Sequence, residues 1–183
     1  MSEIEIIASE LKSSLKQFQD FPQKGILFED FLPIFAEPKL FRKLVRAFKL
    51  HLGNTKIDYI VGLESRGFLF GPALALELDA GFIPVRKPGK LPGPTLRAEF
   101  QKEYGTDAFE IQQDVLQAGA RVVVVDDILA TGGSASAAGE LVSKSGADVL
   151  EYLFVMELDF LKGRNNLKSP AFTLLSGQES KSD

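Results

Sequence analysis

The segment from Arg121 to Ser134 constrains the fold more than any other part of the chain. Val122–Val125 form an apolar run with the length of a strand. A pair of aspartates follows at once, and Ala-Thr-Gly-Gly-Ser then begins a pattern that predicts a helix through Leu141. A valine strand without polar alternation is typical of a parallel sheet that is covered on both faces. The segment therefore predicts a buried strand, a glycine turn and a covering helix.

The rest of the chain alternates in the same way. Apolar residues spaced three and four apart predict a first helix from Ile4 through Leu15 to Phe18 and a second from Pro38 to Leu52. The apolar runs predict strands over 57–63, 82–86, 121–126, 149–158 and 171–175, with a helix over about 67–78. This order indicates an α/β fold, with a mostly parallel central sheet flanked by helices in one domain. Ligands of such sheets bind at the carboxyl ends of the strands.

The turn after the valine strand is suited to a phosphate group. Gly132 and Gly133 permit backbone conformations that a side chain would block. Backbone N–H groups at the helix start can then converge on an anion, helped by the helix dipole. Thr131 and Ser134 add hydroxyl donors, and Ala130 begins the turn. Because no lysine follows the glycines, this is not the usual nucleotide P-loop.

Asp126 and Asp127 precede this turn, where two carboxylates would repel a bound phosphate. They must therefore do something else. They can accept charge-assisted hydrogen bonds from ribose hydroxyls, or face a hydrated Mg2+ that the ligand brings. The alternative is an ordinary capped helix after a core strand, which the valine run and the paired aspartates make the poorer explanation.

Residues 87–108 fit neither a helix nor a strand pattern, since they contain three prolines and three glycines. A connection of this length is usually a functional flap or a disordered segment. Over 86–102 a single carboxylate, Glu99, stands against five basic residues: Arg86, Lys87, Lys90, Arg97 and Lys102. In a chain of net charge -4, this local positive field suits a second anion, although a solvated basic loop is the alternative. The overall charge argues against a broadly basic nucleic-acid binder.

Several segments resemble one known family. Val122–Ser134 resembles the phosphoribosyl pyrophosphate motif of type I phosphoribosyltransferases, with its apolar strand, Asp-Asp and Thr-Gly-Gly turn. Five further segments resemble the adenine phosphoribosyltransferases: FPQKGILFEDF (21–31), GLESRGFLFGP (62–72), RKPGKLPGPT (86–95), KEYG (102–105) and LKGR (161–164). The resemblance implies the type I phosphoribosyltransferase fold, with a small N-terminal hood over about 1–35 and a flexible catalytic flap over 87–108.

The resemblance also implies a reaction, in which adenine and 5-phosphoribosyl 1-pyrophosphate give AMP and pyrophosphate with Mg2+. It implies a cytoplasmic homodimer, in which some flap residues reach the neighbouring subunit's site. The net charge of -4 and the lack of an apolar run approaching ~20 residues predict no nucleic-acid partner and no membrane partner. Asp126 and Asp127 then hold the ribose, with Mg2+ held mainly by substrate and water near them, and Ala130 to Ser134 hold the 5′-phosphate. The residues implied for the pyrophosphate are Glu64, Ser65, Arg66, Arg86, Lys87 and Lys90, with a cis Glu64–Ser65 peptide.

Catalytic and base-binding roles follow from the same resemblance. Glu103 matches the residue that exchanges a proton with adenine N7, Tyr104 is its closing neighbour, and Arg66 is also catalytic. The residues implied for adenine are Leu27, Phe28 and Glu29, through main-chain groups and packing. His51, the one histidine in the sequence, is interpreted as structural, at the end of a helix.

Two alternatives remain open at this point. One is the same chemistry on a 6-oxopurine such as hypoxanthine or guanine. The other is a regulator or degenerate duplicate that binds phosphoribosyl groups without turnover, although the chain keeps GKLPGPT and Glu103, which such proteins usually lose. The sequence contains no cysteine, which excludes a thiolate nucleophile and a disulfide framework and suits a cytosolic protein.

Overall fold

A parallel sheet of five strands forms the centre of the computed structural model, which describes residues 1–20, 24, 27–102 and 105–177. The strand order is β4-β3-β7-β8-β9. The strands are β3 Tyr59–Leu63, β4 Gly81–Val85, β7 Arg121–Leu129, β8 Asp148–Leu158 and β9 Ala171–Gly177. Each strand predicted from the apolar runs is present, and the neighbouring strands all pair in parallel.

Helices and a hairpin cover the two faces of this sheet. The helices are α1 Glu3–Ser13, α2 Leu32–Ala36, α3 Pro38–Leu52, α4 Gly71–Glu77 and α5 Gly133–Lys144. Val123 and Val125 lie in the apolar core formed with α1, α2, α3 and α4, whereas Val122 and Val124 lie in the core formed with α5. The four valines are fully buried, because successive side chains of a strand point to opposite faces and both faces are covered. The predicted α/β fold is confirmed.

The first helix is shorter than its apolar spacing predicts. It begins with a capping box between Ser2 and Glu5 and ends at Ser13. The hydroxyls of Ser13 and Ser14 donate to the carbonyls of Glu10 and Leu11, each at 2.7 Å, which is how serine competes with continued helix. The chain then forms β1, Lys16–Gln19, which pairs antiparallel with β2, Leu27–Asp30. The prediction that the helix continues to Phe18 is therefore wrong.

Residues 87–108 contain more regular structure than predicted. β5, Thr95–Lys102, and β6, Gly105–Gln112, form an antiparallel hairpin. Ala98, Phe100, Phe109 and Ile111 are buried in the core that contains α5. The alternation of Leu96, Ala98 and Phe100 was a strand signal, but the prolines and glycines immediately before it obscured it.

The strand that carries the acid pair is longer than expected, and the first turn after β3 is not α-helical. β7 continues to Leu129, and Asp126 still pairs with Phe154 of β8. A 3-10 turn, Arg66–Leu69, precedes α4, so the helix predicted from residue 67 begins only at Gly71. Within the described residues, no helix is both long and apolar enough to cross a membrane.

Candidate active site

The phosphate turn, residues 130–134, joins β7 to α5 at the carboxyl edge of the sheet and includes the first two residues of the helix. Gly132 is the residue before the helix and has a left-handed φ of 81°, a conformation that glycine adopts without the cost of a Cβ atom. This glycine has no side chain to cap α5, and no described side chain accepts a hydrogen bond from the first N–H groups of the helix. An uncapped helix start preceded by a left-handed glycine is a ready anion site.

The acid pair lies directly before this turn. Oδ1 of Asp126 accepts a hydrogen bond from the backbone N–H of Asp127 at 2.9 Å. Asp127 is 6% exposed. Burial raises the pKa of the Asp126 carboxyl well above its usual value, and the adjacent charge of Asp127 raises it further. Hydrogen-bond donors brought by a ligand would relieve this cost of burying charge.

Arg66 provides the positive charge nearest to the pair. Its Nε lies 2.7 Å from Oδ2 of Asp127, yet this buried oxygen accepts no well-aligned hydrogen bond from the described residues. The contact is therefore Coulombic, and the oxygen keeps its capacity to accept. The guanidinium also lies 5.6 Å from the ring centre of Phe31, within cation–π range.

The turn that carries Arg66 is pressed against the end of β7. A Cβ atom on Gly67 would lie 2.7 Å from the carbonyl oxygen of Val125, so only glycine fits there. The Glu64–Ser65 peptide is cis, as the resemblance implies. The structure thus brings Glu64, Ser65 and Arg66 beside the acid pair, although they are about sixty residues away in the sequence.

Arg86, immediately before the flap, and Lys87, its first residue, are paired with carboxylates. Arg86 Nε donates to Oε2 of Glu64 at 2.8 Å, and the backbone N–H of Lys87 donates to the same oxygen at 3.0 Å. The Lys87 ammonium pairs with Asp107 of the hairpin. Lys90 makes no ion pair with the described residues, and its carbonyl accepts from Arg86 Nη1 at 3.3 Å. Glu64, Arg86 and Lys87 therefore form one charged group at the carboxyl ends of β3 and β4.

The segment implied for adenine forms strand β2. Leu27, Phe28 and Glu29 are each half-buried, and Oε1 of Glu29 accepts from Gln17 Nε2 at 3.2 Å. Phe31, which follows β2, is 1% exposed and links this segment to Arg66. Glu103 and Tyr104 lie outside the described residues.

A polar network behind the phosphate turn was not predicted from the sequence. Its members are Glu157 at the end of β8, Arg164 and Asn166 in a 3-10 turn, Gly163–Asn166, and Thr173 in β9. The LKGR segment carried the signal, but it suggested no role. His51 lies elsewhere, stacked on Phe172 with a ring-centre distance of 3.7 Å and bonded to Glu151 at 2.8 Å.

Comparisons with known proteins agree with this geometry. Residues 34–159 match the phosphoribosyl transferase domain family. An adenine phosphoribosyltransferase of Candida albicans is 71% identical over 98% of this chain and 95% of its own length. One of Debaryomyces hansenii is 69% identical over 99% of this chain and 98% of its own length.

Solved structures agree as well. The adenine phosphoribosyltransferase of Saccharomyces cerevisiae, complexed with an imino-altritol bisphosphate and adenine, has a TM-score of 0.90 and 64% identity over 93% of this chain and 99% of its own. The enzyme of Trypanosoma brucei, in complex with AMP, pyrophosphate and ribose-5-phosphate, has a TM-score of 0.86 and 28% identity over 100% of this chain and 87% of its own. The chain belongs to the adenine phosphoribosyltransferase family of type I phosphoribosyltransferases.

Proposed function

We propose that the chain transfers a 5-phosphoribosyl group from 5-phosphoribosyl 1-pyrophosphate to adenine, giving AMP and pyrophosphate, as its family membership implies. One observation carries the assignment of this reaction to the carboxyl edge of the sheet. The start of α5, an acid pair whose buried Asp127 oxygen accepts no well-aligned hydrogen bond from the described residues, and an arginine meet there. A phosphorylated sugar with hydroxyl groups and a second anion is complementary to these three features.

The phosphate turn binds the 5′-phosphate in this proposal. The N–H groups at the start of α5 point toward the anion, and the hydroxyls of Thr131 and Ser134 add donors. Ala130, Gly132 and Gly133 contribute backbone only, which lets the phosphate approach closely.

Asp126 and Asp127 hold the ribose through its 2′ and 3′ hydroxyls. Oδ2 of Asp127 supports this role: Arg66 Nε lies 2.7 Å away, but no described residue donates a well-aligned hydrogen bond to it, and a sugar hydroxyl would supply one. The raised pKa of Asp126 also supports ribose binding. Donors from the sugar stabilise the charged form that burial disfavours.

The pyrophosphate is bound by Glu64, Ser65, Arg66, Arg86, Lys87 and Lys90. In the structure Arg66 pairs with Asp127, and Arg86 pairs with Glu64. A pyrophosphate offers these guanidinium groups bidentate phosphate oxygens instead, so they exchange a carboxylate for the substrate. The start of the flap, which carries Arg86, Lys87 and Lys90, closes over the leaving group.

Adenine binds at β2, between the residues of about 1–35 that form the hood and the flap over 87–108. Main-chain groups of Leu27 and Glu29 read the base, with Phe28 packed nearby. The exocyclic amine of adenine is a donor, so carbonyl acceptors select it over hypoxanthine, since a mismatch at a buried polar site is heavily penalised. Glu103 exchanges a proton with adenine N7, and Tyr104 closes beside it.

The bond to C1′ of the ribose breaks through an oxocarbenium-like state, as in glycoside chemistry. No covalent nucleophile is required. The side chains orient base, sugar and leaving group and stabilise the charge that develops. The closed flap excludes water, which would otherwise hydrolyse the reactive centre.

The acid pair fits a Mg2+ ion that is shared with the substrate. The described residues contain no cluster of three or more histidine, cysteine or acidic side chains able to hold a metal. Asp126 and Asp127 instead match the usual mode for Mg2+, with one or two carboxylates plus substrate phosphates and water. When bound, the ion would neutralise charge on the pyrophosphate and improve it as a leaving group.

A homodimer is also proposed. Its support is an apolar groove of about 740 Å3 beside α3 and α4, bordered by Leu50 and by Leu76, which is 84% exposed. Exposed apolar surface of this kind often marks a protein interface. Light scattering should give the mass of two chains for the wild type, and a monomer mass would contradict the proposal. A cytoplasmic location stays a prediction of the resemblance.

A substrate panel tests the function. Purified protein with Mg2+ and 5-phosphoribosyl 1-pyrophosphate is given adenine, hypoxanthine or guanine, and the nucleotide formed is identified by chromatography. We expect AMP from adenine and little product from the other bases. Efficient turnover of hypoxanthine or guanine would assign the other purine class, and binding without any turnover would indicate a regulator.

A further inference from the structure

An ion pair between a buried glutamate and a partly exposed arginine lies behind the phosphate turn, on the side away from the proposed ligand. Glu157 is 5% exposed. Arg164 Nε donates to its two carboxylate oxygens at 2.9 and 2.7 Å. Arg164 also donates to the carbonyl of Ala171 and, at 2.8 Å, to Oγ1 of Thr173. The guanidinium thus fixes the turn after β8 to both β8 and β9.

The turn held in this way packs backbone to backbone against the phosphate turn. A Cβ atom on Gly132 would overlap the carbonyl oxygen of Gly163, and one on Gly163 would overlap the carbonyl oxygen of Ala130. Neither glycine can therefore change to a larger residue without moving the other turn. The two turns are one packed unit, although about thirty residues lie between them.

Asn166 adds a directed contact. Its Nδ2 donates to the carbonyl oxygen of Thr131 at 2.7 Å. In a trans peptide the carbonyl and the N–H point in opposite directions. Because the carbonyl of Thr131 is held toward Asn166, the N–H of Gly132 is turned the other way. Gly132 accepts both signs of φ, so its own conformational preference does not fix this peptide; the hydrogen bond and the packing against Gly163 orient it.

We propose that Asn166 is a positioning residue for phosphate binding and that the Glu157–Arg164 pair holds it in place. Asn166 acts through the Thr131–Gly132 peptide, which it orients so that the N–H of Gly132 is available to the 5′-phosphate. The inference rests on the proposed function for the identity of the ligand. The positioning role of Asn166 itself requires only that a phosphate monoester binds at this turn.

The test uses ribose 5-phosphate as the probe, because its binding requires no transfer to a base. Calorimetry compares wild type with Asn166→Asp, which keeps the size of the side chain but removes the donor. Asn165→Ala is the matched control, since Asn165 is an exposed neighbour whose side chain makes no hydrogen bond with the described residues. We expect Asn166→Asp to weaken binding about threefold to tenfold, as loss of one hydrogen bond would, and Asn165→Ala to leave it unchanged.

Steady-state kinetics separate positioning from a general structural effect. Asn166→Asp should raise KM for 5-phosphoribosyl 1-pyrophosphate while KM for adenine and the Tm stay near wild type, and Asn166→Gln, which keeps an amide donor, should restore part of the affinity. Equal changes in both KM values, or unchanged ribose 5-phosphate affinity, would overturn the proposal. If the wild type binds ribose 5-phosphate but forms no AMP, the proposed function fails and the positioning role stands. If it forms AMP but Asn166→Asp binds normally, the positioning role fails alone.

Discussion

A single methyl group at Gly163 should damage the phosphate turn more than the fold. Gly163 is buried, and its backbone φ is outside the left-handed region, so Gly163→Ala carries no conformational penalty. The new Cβ would overlap the carbonyl oxygen of Ala130 and lie 3.0 Å from both the backbone N of Gly132 and Cδ1 of Leu129. The whole effect of the substitution therefore comes from packing.

The size of the effect follows from these contacts. Overpacking by one methyl group costs about 1–3 kcal/mol. In a chain of this length, each kcal/mol lowers Tm by roughly 2–4 °C, so a fall of roughly 2–12 °C is expected. Because two of the three atoms touched belong to the phosphate turn, the turn moves first. KM for 5-phosphoribosyl 1-pyrophosphate should rise about tenfold or more, since oriented binding is sensitive to displacements of about 1 Å.

Gly146→Ala is the control for this prediction. Gly146 has a left-handed φ of 80°, and a Cβ atom there would meet nothing closer than 3.8 Å. The left-handed backbone should cost the Gly146→Ala variant about 1–2 kcal/mol of stability. Its Tm should therefore fall, while KM for both substrates stays at the wild-type value. If Gly163→Ala and Gly146→Ala lower Tm alike and both keep the wild-type KM for 5-phosphoribosyl 1-pyrophosphate, the coupling of the two turns is refuted.

Three further substitutions probe separate parts of the account. Asp126→Asn should raise the Tm of the ligand-free protein at neutral pH, because the raised pKa of Asp126 means that the folded state disfavours its charge. The gain in Tm should vanish below about pH 4, where the carboxyl is protonated in the unfolded chain as well. A lower Tm at neutral pH would contradict this explanation. Asp58 forms hydrogen bonds with the guanidinium and backbone N–H of Arg121, which lower its pKa to about 2. Its contribution to stability is complete above the unfolded pKa of about 3.9 and is lost as pH falls through about 2. The Tm difference between wild type and Asp58→Asn should therefore shrink on acid titration, whereas a constant difference would remove the ionic explanation. Glu103→Leu should keep binding of 5-phosphoribosyl 1-pyrophosphate but lose much of kcat, and wild-type turnover would exclude Glu103 from the mechanism.

Local sequence patterns predicted much of the sheet and the centre of the site. The valine strand, the acid pair and the glycine turn are contiguous, so their proximity needed no knowledge of the tertiary structure. The approach of Arg66 to Asp127 was predictable only in outline, from the rule that the carboxyl ends of parallel strands meet at one edge. The β5–β6 hairpin was missed because prolines and glycines just before it suggested irregular structure.

The network behind the turn was beyond sequence reasoning for a different reason. The contacts of Glu157 with Arg164 and Thr173 depend on the register of β8 against β9, which no local pattern specifies. The hydrogen bond from Asn166 to Thr131 depends on how two distant turns pack. A charged or polar residue in a loop usually remains in solvent, so apart from the LKGR resemblance nothing marked Arg164 and Asn166 as different.

The internal ion pairs of the site also became visible only in three dimensions. The sequence predicted a cluster of positive charge for an anion. In the structure Glu64 and Asp107 already neutralise part of it. In the proposed function the pyrophosphate replaces Glu64 as the partner of the Arg86 guanidinium.

The affinity of Asp127→Asn for 5-phosphoribosyl 1-pyrophosphate tests the central claim most directly. The claim is that the acid pair beside the phosphate turn holds the ribose of the substrate. Loss of one charge-assisted hydrogen bond should weaken binding about tenfold to a hundredfold in calorimetry, while circular dichroism shows the wild-type fold. An affinity equal to that of the wild type would place the ribose elsewhere and contradict the account.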